Sequence, residues 1–429
     1  MPHAHSNEDT HTRFFSPALS LLESCDSHRS CPALPDDKWI ELGVSRVILA
    51  PDSGRGFLQD LVSRGKYAPG GGHFFETLKS QRRLSLCAEL SEKLARKIEV
   101  QLPDALADFE CLKNFEVRAG DGHWHGAASF DSKKLSKINN DGSKVYKRYP
   151  VGHLYTMDLR SHAMRHLITS DQDKKRKEHD MAGLKRAGAR ALKEGIKTGR
   201  KLLMVWDSAA IDFSYWHKLK QGSGIYFLCR EKNVKRVACG DRIWDRDDVI
   251  NTGVISDKQV GSSTQGHLVR VIEFCDESTG KNHRFITNEM TLPPGVLAHL
   301  YRMRWDIEKA FDEIKNRLNQ KKAWATSTGA KSMQGHFIAM THNLMLLLDQ
   351  QLREKEGITN EPDQKRRIAR RAEEGQKAGR LNESLALRDW LHRSTQRGLK
   401  FIRWLRAQLV QKTSWRKSCE ALNTLYSRL

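Results

Sequence analysis

Between positions 295 and 318 the apolar residues recur every three or four places. Turned at about 100° per residue, Met303, Ile307, Ala310, Phe311, Ile314 and Leu318 share one side of a helix, the side that must face a core. Pro293 and Pro294 place its start near Gly295. Arg302, Asp306, Lys309, Glu313 and Asn316 fall on the opposite side, which is expected in solvent. Tyr301, Arg304, Glu308 and Lys315 fall on the seam, within an arc of roughly 60°. A phenol, a carboxylate and two cations thus line the edge of a buried face. Periodicity alone is equally satisfied by an amphipathic helix with ordinary charge pairs four residues apart.

Upstream the period changes. Residues 115–122 alternate apolar and polar and end in Gly-Asp-Gly, which predicts a strand delivering Asp121 to its end. A loop with Asn139, Asn140, Asp141 and Gly142 follows, then short strands at about 152–159 and 164–169 and a charged helix within 171–197. The compact apolar run 201–207 ends in Asp207 and reads as a buried strand. A helix at 209–220 and a strand at 224–230 come next. Alternation at 249–255, 268–274 and 283–286 predicts a β-rich insertion over about 234–288. Met333, Phe337, Met340, Leu344, Leu347 and Leu348 mark a packing helix. Three strands, a helix and a fourth strand are the order of an α/β, ribonuclease-H-like core. In that order the first and fourth strands lie side by side, and Asp121 and Asp207 should meet at adjacent strand ends.

The flanks read as helical. Residues 1–35 are polar and expected to be a loose tail, in which His3, His5 and His11 are surface residues. Asp36 or Asp37 can cap a helix with Trp39, Ile40, Leu42 and Val47, and Ser53 a second with Phe57, Leu58, Leu61 and Val62. Pro69-Gly70-Gly71-Gly72 reads as a turn, because no Lys-Ser/Thr follows to make a phosphate loop. Helices resume at 74–79 and 84–100. The expected plan is a tail (1–35), a basic helical region that either docks on DNA or is a plain helical cap (36–112), a core (113–350), and a charged linker with a basic helical end carrying Trp390, Trp404 and Trp415 that packs on itself, on DNA or on a second subunit (351–429).

Charge narrows the partners. Lys and Arg outnumber Asp and Glu by 73 to 52, a net charge of +21, which suits a polyanion. No basic amphipathic helix stands out, and the apolar stretch 337–348 is too short to span a bilayer. The eight cysteines are scattered with no Cys-x-x-Cys pair, which argues against a zinc ribbon or a disulfide framework and fits a reducing cytoplasm. A cytoplasmic, nucleoid-associated protein that meets nucleic acid is the expectation.

The seam carries a resemblance. Tyr301, Arg304, Glu308 and Lys315, with Trp305 directly after the arginine, have the spacing of the signature in bacterial insertion-sequence DDE transposases of the Tyr-Arg-Glu-Lys group. The resemblance spans roughly 115–350. It implies an Asp-Asp-Glu triad, Asp121, Asp207 and Glu308, that holds two divalent metal ions, magnesium or manganese, about 3.5–4 Å apart. It also implies that Tyr301, Arg304 and Lys315 engage phosphates near a transposon end, and that an aromatic of the β insertion, here Trp244, stacks on a flipped base. The implied partners are double-stranded DNA, both terminal inverted repeats and target, with a homodimer on the DNA. One departure is Ser208, where this group usually has Arg after the second acid. Asp212 is expected as a cap, Asp158 lies in another strand, and His123 and His125 are expected as solvated loop residues. The alternative is a transposase-derived, sequence-specific DNA-binding protein that does not cut.

Overall fold

The structure is a computed structural model; it describes residues 9–31, 33–51, 53–63, 72–170, 178–231, 236–262, 266–276, 280–360, 399–411 and 413–427. Its frame is one nine-stranded mixed sheet. Strands β1 (Phe115–His125), β4 (Val151–Asp158), β5 (Met164–Thr169), β6 (Lys201–Trp206) and β7 (Ile225–Arg230) form the ribonuclease-H-like half, with spatial order β5-β4-β1-β6-β7. β1 pairs antiparallel with β4 and parallel with β6, so the first and fourth strands of the core are neighbours, as the element order requires. Helix α6 (Asp180–Leu192) makes the crossover between β5 and β6.

β6 is apolar on both faces because both faces are covered. Leu203 and Val205 enter one core, and Leu202, Met204 and Trp206 enter another. Val117 and Ala119 of β1 lie in the same core as Leu203 and Val205. The two-residue period of a strand therefore turns Asp121, and by the same alternation Asp207, toward that first core.

The segment expected as an insertion extends the sheet itself. β8 (Arg236–Asp241), β9 (Val254–Ser262), β10 (Leu268–Asp276) and β11 (Lys281–Thr287) continue it in the order β7-β11-β10-β9-β8, with β11 joined to β7 through Phe285–Arg230, Ile286–Cys229 and Thr287–Leu228. Residues 249–251 form a short 3-10 turn instead of starting a strand, because Asp248 accepts the Ile250 N–H at 3.0 Å and caps it. The region expected as a loop around Asn139 is the tip of a separate hairpin, β2 (Lys134–Ile138) with β3 (Lys144–Lys147). Neither face of that hairpin is buried, so its sequence carries no amphipathic alternation.

Helices close the first core. α2 (Asp36–Leu49), α5 (Gln81–Gln101), α10 (Thr328–Glu356), α11 (Leu399–Val410) and α12 (Trp415–Ser427) all contribute to the same apolar cluster as β1 and α8 (Pro294–Met303). The expected loose tail is in part a helix, α1 (Thr10–Leu22). Phe14, Ala18 and Leu22 recur at helical spacing and are buried with Phe15, and Asp9 caps the helix by accepting the Thr12 N–H at 2.7 Å. Asp36 caps nothing; its buried carboxylate accepts two hydrogen bonds from Arg82 at 2.8 and 2.9 Å and one from the Arg29 N–H at 3.0 Å. The ion pair outcompetes the cap. Ser53 does cap as expected, accepting the Gly56 N–H at 3.0 Å. Trp404 donates to the Ser418 carbonyl and Trp415 to Glu356, so both tryptophans pack on the chain itself. Trp390, most of the expected linker, His3, His5, Gly70 and Gly71 lie outside the described residues. Among the described residues no helix is long and apolar enough to cross a membrane.

The helix bearing the seam is not continuous. α8 ends at Met303, the chain tightens at Arg304, α9 covers Trp305–Asp312, and Glu313–Arg317 make a π-helical turn. The Arg304 N–H bonds to the Tyr301 carbonyl and the Ile307 N–H to the Arg304 carbonyl, three residues back in each case. The apolar side is buried as its spacing predicts, from Met303 to Leu318. Two residues expected in solvent are not there: Asp306 is 4% exposed and Glu313 is fully buried. The tight turn and the wide turn both shift the helical phase, and a uniform 100° step cannot follow them.

Candidate active site on two adjacent parallel strands

β1 and β6 run in register from Phe115 with Lys201 to Ala119 with Val205. Two residues further along each chain stand Asp121 and Asp207; the strand expected to end at Asp121 runs on to His125, so Asp121 lies within β1 opposite Tyr155 of β4, and only Asp207 stands just past a strand end. Gly120 is required between the two acids, because a Cβ there would come within 2.4 Å of the Trp206 indole. Trp206 thus packs against the β1 backbone at Gly120, on the face opposite the one toward which the two acids turn. Asp121 is half-buried and accepts its neighbour's N–H, from Gly122, at 2.7 Å. Asp207 leaves β6 extended and accepts the Ala209 N–H at 2.8 Å, capping the turn Ser208–Ala210.

The third acid comes from α9. Glu308 is half-buried, and its Oε1 lies 2.7 Å from Nη2 of Arg304. Arg304 is 4% exposed, and its Nε and Nη1 are buried with no hydrogen-bond partner among the described residues. Its guanidinium sits 5.4 Å from the Tyr301 ring centroid and 5.8 Å from that of Trp305. Tyr301 is buried against Phe285, with ring centroids 4.7 Å apart, and burial raises its phenol above the ordinary value. Trp305 is 56% exposed, the reverse of what a core aromatic does.

The acids sense one another. Burial lifts the Asp121 carboxyl to about 7, and the charges of Glu308 and Asp207 push the same way, while the Gly122 N–H and Arg304 oppose them. Asp121, Asp207, Glu308 and Arg304 are therefore one electrostatic group. Among the described residues no three His, Cys, Asp or Glu side chains converge to enclose a metal ion. The donor set still suits a hard divalent cation in type and charge, since all three are carboxylates. Asp121, Asp207 and Glu308 are the residues that would hold it.

Lys315 is exposed in the π-helical turn, and its charge acts on His123. Trp244 is half-buried in the loop between β8 and β9, with the guanidinium of Arg246 4.8 Å above its ring. Asp212 caps α7 (Phe213–Ser223) by accepting the Tyr215 N–H at 3.0 Å and pairs with Lys185, the capping role expected of it. Asp158 is buried and accepts from the Ser161 N–H and hydroxyl. Asp306 lies 2.9 Å from Lys309 Nζ and 3.4 Å from His162 Nε2; burial would raise its carboxyl, and the His162 ring and the Lys309 ammonium hold it below the ordinary value.

His123 and His125 are buried, against expectation, because β1 runs on past Asp121 to His125. They begin a column of imidazoles: His123 to His125 at 4.6 Å, His125 to His153 at 5.1 Å, His153 to His166 at 5.2 Å and His166 to His336 at 4.7 Å between ring centroids. Positions 121, 123 and 125 share one strand face, a signal present in the sequence; the companions on β4, β5 and α10 gave none. Burial drives His123 down to about 3, His125 and His336 to about 4, and His153 and His166 well below the ordinary value. These rings are neutral in the folded chain and take up protons near pH 6.5 once unfolded. Their contribution to stability is complete above about pH 6.5 and is lost as pH falls below it, by up to about 1.4 kcal/mol per pH unit for each ring. Asp121, with a raised value, has the opposite sign but is a single group. Urea midpoints at pH 7 and pH 5 should therefore differ, with the lower one at pH 5. Equal midpoints would mean that the imidazoles protonate in place.

The family model described as transposase DDE domain matches residues 117–344, more than half of the chain. No curated protein matches it. The matched span opens on β1 and closes within α10, so it encloses all three acids, Tyr301, Arg304 and Lys315, and leaves out the N-terminal helices. With the mixed α/β sheet, the match has one reading: the chain belongs to the transposase DDE domain family.

Proposed function

We propose that this chain is a DNA transposase of the Tyr-Arg-Glu-Lys group that cuts and joins transposon ends by phosphoryl transfer at Asp121, Asp207 and Glu308. The observation that supports it best is the placement of Asp121 on β1 and Asp207 just past β6, two residues beyond the last paired residues of these adjacent parallel strands, with the Glu308–Arg304 pair close enough to act on Asp121. Strand cleavage and strand joining are in-line displacements at phosphorus, by water or by a 3′ hydroxyl. Magnesium or manganese ions, when bound, neutralise charge on the attacking and leaving oxygens. Asp121, Asp207 and Glu308 are the carboxylates that would hold those cations. Arg304 offers a phosphate two buried nitrogens that have no hydrogen-bond partner among the described residues, a grip that one ammonium cannot make. Tyr301 beneath it fixes the guanidinium, and exposed Lys315 reaches flanking backbone. Trp244 remains the proposed stacking aromatic of the β extension. The substrates are double-stranded DNA, first the terminal repeats and then the target, in the cytoplasm at the nucleoid. Pairing two ends calls for two copies of the chain.

A second reading, a DNA-binding descendant that no longer cuts, has one observation in its favour: Glu308 is ion-paired with Arg304, and among the described residues the acids do not close on a cation. Incubating the protein with a duplex carrying its element's ends and Mg²⁺ separates the two. Nicks at the element boundary support the transposase; tight binding without nicks supports the descendant.

Arg304→Ala is expected to weaken end binding. It should also make the plot of log affinity against log salt shallower by about 0.9 for each phosphate that the side chain grips. An unchanged slope would take Arg304 off the phosphate.

A further inference from the structure

The hairpin β2–β3 stands apart from everything the site uses. It leaves the main sheet between His125 of β1 and Val151 of β4, which are paired with each other, and so it departs from the edge at which Asp121 and Asp207 stand. Its base is clamped: the Asp131 carboxylate accepts from the Ala128 N–H and lies 3.0 Å from Lys331 Nζ at the start of α10, and Arg148 donates to the Asp131 carbonyl. Beyond the base it pairs with no other strand among the described residues, and both of its faces are open.

From Lys133 to Arg148 the ribbon carries Lys133, Lys134, Lys137, Lys144, Lys147 and Arg148 against one acid, Asp141. Pairing sets Lys134 directly opposite Lys147, so both strands carry cations at the base of the ribbon. Between the cations, Leu135, Ile138 and Tyr146 are exposed by 41%, 60% and 52%. A two-stranded ribbon open on both faces is marginal in water on its own. Each strand is roughly 15 Å long, and a ribbon of this kind fits the major groove of B-form DNA, about 12 Å wide.

We infer that the β2–β3 ribbon is a DNA-gripping arm that lies in the major groove of the duplex next to the cut, its lysines on the two phosphate walls and Tyr146, Leu135 and Ile138 against base edges. This rests on the reading of the chain as a DNA-acting transposase and adds where the duplex runs: past the catalytic edge, along the extension of β1 and β4.

The test uses the full chain with Lys137→Gln, Lys144→Gln and Lys147→Gln combined, all three being exposed residues. Thermal melting checks that the fold is kept, and fluorescence anisotropy with a linear duplex over a series of salt concentrations reads binding. The expected result is affinity lower by about tenfold or more and a salt slope shallower by up to about 2.7, the counterion release of three phosphates. Tyr146→Ser should also remove protection of guanine N7, a major-groove atom, from methylation beside the boundary. Wild-type binding with an unchanged slope in the triple variant would overturn the arm and leave the transposase reading standing. A wild-type chain that binds no duplex would overturn both. A DNA-free dimer that Tyr146→Ser dissociates would make the ribbon a contact between copies and overturn the arm.

Discussion

Glu308→Gln is expected to lower strand cleavage by more than about 10³-fold, about 4 kcal/mol in the barrier, and to leave duplex affinity within about a factor of two. The amide keeps the size of the side chain and an oxygen to accept from Arg304 Nη2, now at 2.7 Å, so the turn between α8 and α9 should hold. What goes is one of the negative charges around Asp121. That charge pushes the Asp121 carboxyl upward in the free protein, and the same charge is what attracts a divalent cation to the site. The measurement pairs a nicking assay in Mg²⁺ with anisotropy on the same duplex. Cleavage retained at near wild-type rate would remove Glu308 from the reacting group. A parallel loss of binding would mean that Glu308 acts by holding Arg304 and not by holding a cation.

The largest expected effect on stability lies away from the acids. Asp257→Ala should cost about 3–5 kcal/mol, the usual consequence of stranding a buried cation. Asp257 on β9 and Arg270 on β10 are 3% and 2% exposed and meet through three hydrogen bonds of 2.6 to 3.0 Å. Arg270 also donates to the Leu292 carbonyl at 2.7 Å, directly ahead of the prolines that start α8. Glu289 approaches Arg270 at 3.8 Å and accepts the Leu292 N–H at 2.8 Å. The β extension is thus riveted to the entry of the helix pair that carries Tyr301, Arg304 and Glu308. Chemical denaturation should show the loss, and cleavage should fall with it although no acid is touched. Pairing Asp257→Ala with Arg270→Met should recover much of the stability, because the stranded charge is gone. A loss below about 1 kcal/mol would mean that Glu289 alone neutralises Arg270.

Two kinds of information in the sequence were sufficient for the frame of this protein. A strand period through Asp121 and an apolar run ending in Asp207 are local patterns, and their order relative to α6 makes β1 and β6 parallel neighbours; the continuation of β1 to His125 was not in the pattern. The seam of Tyr301, Arg304 and Glu308 is also local, since a helix sets it within two turns. Burial of the apolar side from Met303 to Leu318 followed from spacing alone.

Only the tertiary structure decided the charges. Asp306, Glu313, Asp36 and Asp257 are buried because particular partners or shifted turns meet them, and a hydropathy pattern counts each as a solvent residue. The phase slip at Arg304 and the π turn after Asp312 likewise depend on fitting α8 and α9 against β1 and β11, not on any local period. The imidazole column draws on four separate segments, from β1 to α10, so no single stretch announces it. α1 and the β2–β3 ribbon mark the two limits of pattern reading. The first hid an apolar face within a polar composition. The second has no buried face to pattern, because the surface it is shaped for is not part of the chain. Local period records which side of an element is dry; which charges lie on that dry side is set by pairings between residues far apart in sequence, and those exist only once the chain has folded.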